Sequence, residues 1–378
     1  MKRRSPPFAV IMLILSFLCG CAHRESSADR HLLAGSAGEE GAKNIAIPEA
    51  LEDEILALDP ESITGDDVAG VLSRCPAPRI INLDGSVPLV TMESFSKFLI
   101  LMGYPEESVR DPKTGAYTYS SYMSSRKLAG LLAWHYEREG MMPMVIGHSQ
   151  GGMLSVKVLH EFAGTFRETI EVWNAQSDKP EERYTIRDPL TGDFRSVTGL
   201  KVGFASAIAT GKSMRILLGQ WEMLPRLREI PDTVEEFTGF RIENDFIGSD
   251  FFGLVQAKRY YPLGSARVRN ITLPAGYSHL RVPLTEELAK RDDTREWINA
   301  YRPSSESPEL TGAFQSKTDN ILFAADVWHS IKKYWCVELQ RLVAARREER
   351  SRNRSDSALK ISPLPAFEEE TDPSLRER

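Results

Sequence analysis

The residues best suited to chemistry are Gly147-His148-Ser149-Gln150-Gly151-Gly152. Before them, Met144-Val145-Ile146 is a short apolar run of strand type, and a helical pattern runs from about Met153 to Phe162. A serine on a sharp turn between strand and helix projects its hydroxyl as a nucleophile, and small residues at 147 and 151 let the backbone turn that tightly. The helix that follows aims amides at the same place, so the amide of Gln150 can receive negative charge developing on a carbonyl oxygen. The chemistry indicated is acyl transfer through Ser149. The pentapeptide alone is common, and the strand and helix on either side carry the inference.

These six residues resemble the nucleophile elbow of the α/β-hydrolase superfamily, where Gly-His-Ser-x-Gly-Gly recurs among lipases and esterases. The resemblance runs through the order of elements from about Ala77 to Tyr301 and is specific at the elbow. It implies the chain order nucleophile, acid, histidine. Of the seven histidines (His23, His31, His135, His148, His160, His279 and His329), only the last two lie far enough beyond Ser149. His279 follows the strand candidate Val268 to Leu273 through Pro274-Ala275-Gly276-Tyr277-Ser278, where the superfamily presents its base. His329, between Trp328 and Ile331 in a helical pattern, reads as a packed residue, as does His148 beside the nucleophile.

By the same order, the acid falls in Glu243-Asn244-Asp245-Phe246-Ile247-Gly248-Ser249-Asp250, after the strand candidate Phe237 to Ile242. Asp245 is nearest the expected position, Asp250 is the alternative and Glu243 a third. A second oxyanion donor is implied in Asp84-Gly85-Ser86, where Asp replaces the superfamily's usual histidine. The amides of Gly85 and Ser86 are the candidates beside Gln150, provided the Asp84 carboxylate points away. The expected function is a Ser149-His279-Asp245 hydrolase cleaving carboxylic esters through an acyl enzyme. The alternative is an inactive protein of hydrolase fold that serves as an envelope binding or scaffold protein. The sequence has no metal-ligand cluster, dinucleotide fingerprint or phosphate loop, so neither a metal nor another cofactor is expected.

Positioning such a site requires strands alternating with helices, and the chain reads that way. Strand candidates lie at 79–83, 144–146, 200–208, 237–242 and 268–273, and helices at 92–102, 120–138 and 153–162. The alternation implies an α/β fold of the α/β-hydrolase type, with a mostly parallel sheet, right-handed crossovers and helices on both faces. Residues 169–198 alternate apolar and polar around Asp188-Pro189 and Thr191-Gly192-Asp193, predicting a small β-hairpin inserted at the sheet's rim. Met214 to Leu224 is apolar around much of its helical circumference. It reads either as a crossover helix packed on the sheet or as a short cap over an acyl pocket.

The 378 residues, 42% hydrophobic, can bury a sizeable core, and a net charge of −6 argues against a nucleic-acid partner. Lys2, Arg3 and Arg4 precede the apolar run Phe8 to Leu18, too short for a comfortable membrane span and typical of a secretory signal. Leu18-Cys19-Gly20-Cys21 resembles the lipobox of bacterial lipoproteins, which implies cleavage before a lipid-bearing Cys21 and a membrane anchor in the bacterial envelope. Ala22, rather than Asp, favours the outer membrane on the same resemblance. Residues 1–20 are then the signal, 21–46 a flexible tether, 47–345 the hydrolase domain and 346–378 a disordered polar tail. Cys75 and Cys336 either pair or remain buried thiols.

Overall fold

The computed structural model describes residues 47–86, 90–250, 255, 257–303 and 320–361. Five strands form a wholly parallel sheet: β1 (Ile80–Leu83), β2 (Met144–His148), β3 (Val202–Ile208), β4 (Val234–Ile242) and β5 (Arg267–Leu273). Their spatial order follows the chain order. The architecture is therefore mixed α/β around a parallel sheet.

Parallel strands are covered on both faces, and β1, β2 and β3 are buried along their whole length for that reason, whereas the edge strand β5, with Arg267, Arg269 and Asn270, is mostly half-exposed. Side chains alternate between two cores. Ile80, Met144 and Ile146 pack with the helices α1 (Glu93–Leu101) and α6 (Ile321–Ile361) on one face. Ile81 and Val145 pack with α2 (Ser125–Glu139) and α3 (Gln150–Phe162) on the other. Phe95 and Phe98 on α1 and Trp328 and Trp335 on α6 are fully buried. Each such side chain contributes on the order of 2–3 kcal/mol relative to an exposed position.

The structure departs from the sequence reading in three places. Residues 169–198 form two antiparallel ribbons rather than one, pairing Trp173–Asn174 with Lys179–Pro180 and Thr185–Arg187 with Phe194–Ser196. They pack on the outside of α2 instead of the sheet's rim. Trp134 Nε1 donates to Glu181, Arg183 Nη1 donates to Glu137, and Gly130 lets the Glu171 carbonyl approach where any Cβ would sit 2.3 Å away.

The second departure concerns the stretch from Arg346, expected to be disordered. It continues α6 as far as Ile361. Arg347 and Arg350 donate to Glu52, a buried carboxylate on the helix Glu49–Ala57, at 3.0 and 2.5 Å. These ion pairs stabilise a segment that is too polar to be held by apolar burial. Residues 362–378 lie outside the described part, as do 1–46 with Cys21. Third, Met214 to Leu224 is neither one crossover helix nor one cap helix but two short helices, α4 (Ser213–Leu217) and α5 (Met223–Arg226). Cys75 and Cys336 are free thiols, and burial pushes them up to about 11 and about 12.

Candidate active site

Strand β2 ends at His148 and α3 starts at Gln150, leaving Ser149 alone to make the turn. Its backbone, at φ 53° and ψ −107°, occupies a region costing about 1–3 kcal/mol for a residue with a side chain. Small neighbours make that turn feasible. A Cβ at Gly147 would lie 2.2 Å from the Gly151 backbone, and one at Gly151 would lie 2.3 Å from the Leu83 carbonyl on β1. Two bonds tie the turn to the end of β3 and the loop after it: Ser149 N–H donates to the Ile208 carbonyl at 2.7 Å, and Thr210 Oγ1 donates to the Ser149 carbonyl at 3.0 Å.

The loops after β4 and β5 meet this serine. His279 Nε2 lies 3.1 Å from Ser149 Oγ, and His279 Nδ1 lies 2.7 Å from Asp245 Oδ2. Asp245 Oδ1 accepts the Ile247 amide at 2.9 Å. Burial pushes the Asp245 carboxyl up, but the His279 hydrogen bond and charge and the amides of Gly248 and Ile247 outweigh it and hold the group below the usual carboxylate range. A carboxylate at Nδ1 keeps the proton there and leaves Nε2 bare to accept the serine proton. The three groups expected from chain order thus form one hydrogen-bonded line.

Asp250 is elsewhere. Its carboxylate pairs with Arg228 at 2.5 Å, both side chains nearly inaccessible, and accepts the Lys212 and Lys258 amides at 3.2 and 2.8 Å. Glu243 makes no bond to His279. His329 is buried in α6, and that burial pushes its pKa down to about 4.

Around the nucleophile, Gln150 is the first residue of α3, where amides lack an intrahelical acceptor. Gly85 lies against Ser149, since a Cβ there would be 3.7 Å from the serine Cβ. Its carbonyl accepts from Ser121 Oγ at 3.0 Å, and the Ser86 carbonyl accepts from Tyr122 Oη at 3.3 Å. The Asp84 carboxylate is engaged away from the serine, accepting the Met92 amide at 2.7 Å and the Thr118 hydroxyl at 3.0 Å. Burial lifts its pKa above the ordinary value.

No family model matches the chain, and no curated protein or solved structure is significantly similar to it. The site therefore rests on its own geometry. Among the described residues no group of three or more His, Cys, Asp or Glu side chains could hold a metal ion.

Two further residues contact the candidate site, His148, buried as the sequence reading expected, and Arg215, which that reading did not single out. His148 Nε2 donates to the His279 carbonyl at 2.8 Å, with the two rings 5.0 Å apart, so it braces the loop that carries His279. Burial, aided by the His279 charge, pushes His148 down to about 3, which keeps it neutral and its Nε2–H tautomer available for that bond. Arg215 on α4 is buried against the elbow and bonds the Gln150 side chain. The adjacency of His148 to Ser149 was visible in the chain. The contact between Arg215 and Gln150 had no sequence signal.

Proposed function

We propose that this chain is a serine hydrolase that cleaves carboxylic esters, built on a fold of the α/β-hydrolase type. Ser149 is the nucleophile, His279 the base and acid, and Asp245 the group that orients and stabilises it. The observation that carries this reading is the line of two hydrogen bonds from Ser149 Oγ through His279 to Asp245, at 3.1 and 2.7 Å, ending on a serine with a strained backbone.

As Ser149 Oγ attacks the ester carbonyl, His279 Nε2 takes its proton. The carbonyl oxygen becomes an oxyanion, which the Gln150 amide stabilises with a second donor from Gly85 or Ser86. The imidazolium then gives its proton to the departing alkoxide oxygen, leaving an acyl enzyme. A water loses a proton to Nε2 and attacks the acyl carbonyl. Collapse releases the acid and returns the proton to Ser149 Oγ. Asp245 stays ionised throughout. Phe246 and Leu280, the chain neighbours of acid and base, are exposed together with Tyr122. Exposed apolar side chains so close in the chain to the acid and the base suit an ester with an apolar acyl part.

The chain is further proposed to be a bacterial envelope lipoprotein anchored through Cys21, the outer membrane being favoured. Among the described residues no helix is long and apolar enough to cross a membrane. Cys21→Ser is expected to abolish palmitate labelling and signal removal, and a variant that still matures and labels would overturn the anchor. A fluorophosphonate probe tests the hydrolase reading: it should label the wild type and not Ser149→Ala, and a panel of nitrophenyl esters from acetate to palmitate reads the acyl range. An unlabelled wild type that turns over none of these esters would point to the inactive, ligand-binding alternative.

A further inference from the structure

Arg79, Arg215 and Arg228 are the buried arginines among the described residues. Arg79 pairs with Glu139 at 2.6 Å and Arg228 with Asp250 at 2.5 Å. Arg215, only 1% exposed, has no carboxylate partner among the described residues. Its Nη1 donates to the side-chain oxygens of Gln150 and Gln220, both neutral. Its Nε is buried without a partner, and no hydrogen bond reaches Nη2 from any described residue.

A buried, uncompensated guanidinium is costly, and folding alone gives no reason to retain one. Burial pushes this one down to about 10, so it stays cationic at neutral pH. Its position is informative. Nη1 is held by the residue that follows the nucleophile, and Arg215 is close enough to Tyr122 to oppose the rise that burial causes in that phenol. Tyr122 in turn bonds the Ser86 carbonyl. Arg215 thus stands on the side of the site that carries the expected oxyanion donors. With Nη1 pinned by two glutamines, the edge that lacks a partner among the described residues is the pair Nε–H and Nη2–H. Two parallel donors of this kind match the two oxygens of a carboxylate.

We propose that Arg215 is a specificity-determining residue that binds a carboxylate on the substrate, so that the preferred ester is anionic rather than neutral. This rests on the hydrolase reading above and adds the substrate class. The substrate would be an amphiphile whose apolar part meets Tyr122, Phe246 and Leu280 while its carboxylate reaches the Nε and Nη2 edge of Arg215.

The test compares kcat/KM of the full chain for 4-nitrophenyl valerate, 4-nitrophenyl hemiglutarate and 3-carboxy-4-nitrophenyl valerate, the last two carrying the carboxylate on the acyl and leaving-group sides. The wild type should prefer one anionic ester to the neutral one by at least about tenfold. Arg215→Gln should erase the preference and Arg215→Lys should retain part of it, each read as the anionic-to-neutral ratio. A wild type without the preference overturns the proposal whether or not the variants fold, and so does a preference that survives Arg215→Gln. A second arm is independent of turnover. Ser149→Ala is titrated calorimetrically with monomethyl glutarate and with monomethyl succinate, with and without Arg215→Gln. At least about tenfold weaker binding of either ligand in the double variant supports the role of Arg215, and no detectable or unchanged binding of both overturns it. If Ser149 neither labels with fluorophosphonate nor turns over any ester, the hydrolase reading fails, and this binding arm still decides Arg215.

Discussion

Asp245 and Asp250 stand five residues apart on one loop, and their environments predict opposite consequences for the same Asp→Asn substitution. At 245, the asparagine oxygen can still accept the Ile247 amide, which leaves an NH2 facing His279 Nδ1. An NH2 there favours the imidazole tautomer with its proton on Nε2, and that tautomer cannot accept from Ser149 Oγ. A loss of about 10⁴-fold in kcat is expected, about 5 kcal/mol of activation free energy, with little change in stability. At 250, the lost charge strands the Arg228 guanidinium in a site where both side chains are under a tenth exposed. Breaking such a pair costs about 3–5 kcal/mol of stability, on the order of 10 °C in melting temperature for a chain of this size. On the proposed mechanism the folded variant should keep kcat within about tenfold, because among the described residues Asp250 makes no bond to Ser149 or His279 and connects to the serine through Arg228, the Thr210 carbonyl and the Thr210 hydroxyl. Nitrophenyl ester kinetics and calorimetric melting on both variants measure the contrast. If Asp245→Asn retained more than a tenth of kcat, or Asp250→Asn lost turnover at an unchanged melting temperature, the assignment of acid and structural aspartate would be refuted.

Gly152→Ala would place a Cβ 2.1 Å from Thr210 Oγ1, which ties the loop after β3 to the nucleophile turn, so urea unfolding should show a loss of about 1–3 kcal/mol and ester assays a loss of about 10²-fold. Met223, fully buried, and Trp221, 60% exposed, flank the start of α5 and should separate: Met223→Ala should cost about 2–5 kcal/mol and Trp221→Ala within about 0.5 kcal/mol in the same unfolding measurement. Lys332 is buried against the Ile63 and Asn299 carbonyls, and burial, with the Arg302 charge, pushes it down to about 7. Below pH 7 both states carry this proton. Between about 7 and 10 the folded chain has released it while the unfolded chain still holds it, so this group makes stability rise with pH across that window. Urea midpoints at pH 7 and 9 should show that gain in the wild type and a smaller one in Lys332→Met.

Local pattern carried much of the site. The strand 144–148, the turn at Ser149 and the helix behind it are encoded by an apolar run, tightly spaced glycines and a helical period, all within twenty residues. The order nucleophile, acid, histidine implied by the resemblance to the α/β-hydrolase superfamily then narrowed the partners to His279 and to a loop holding Asp245 and Asp250. Sequence alone left that pair undecided, because two aspartates on one polar loop differ only in what folds against them. Tertiary structure separated them by bringing Arg228 to one and His279 to the other. Distance along the chain hid the rest. Arg215 meets Gln150 across 65 positions, and His148 braces His279 across 131. The charged stretch after Arg346 looked too polar to order until Glu52, nearly 300 residues earlier, was seen beside Arg347 and Arg350. Periodicity and turn chemistry act over a few residues and are written in the chain. The pairing of buried charges and the bracing of a loop depend on which distant groups share a low-dielectric space, and only the folded chain decides that.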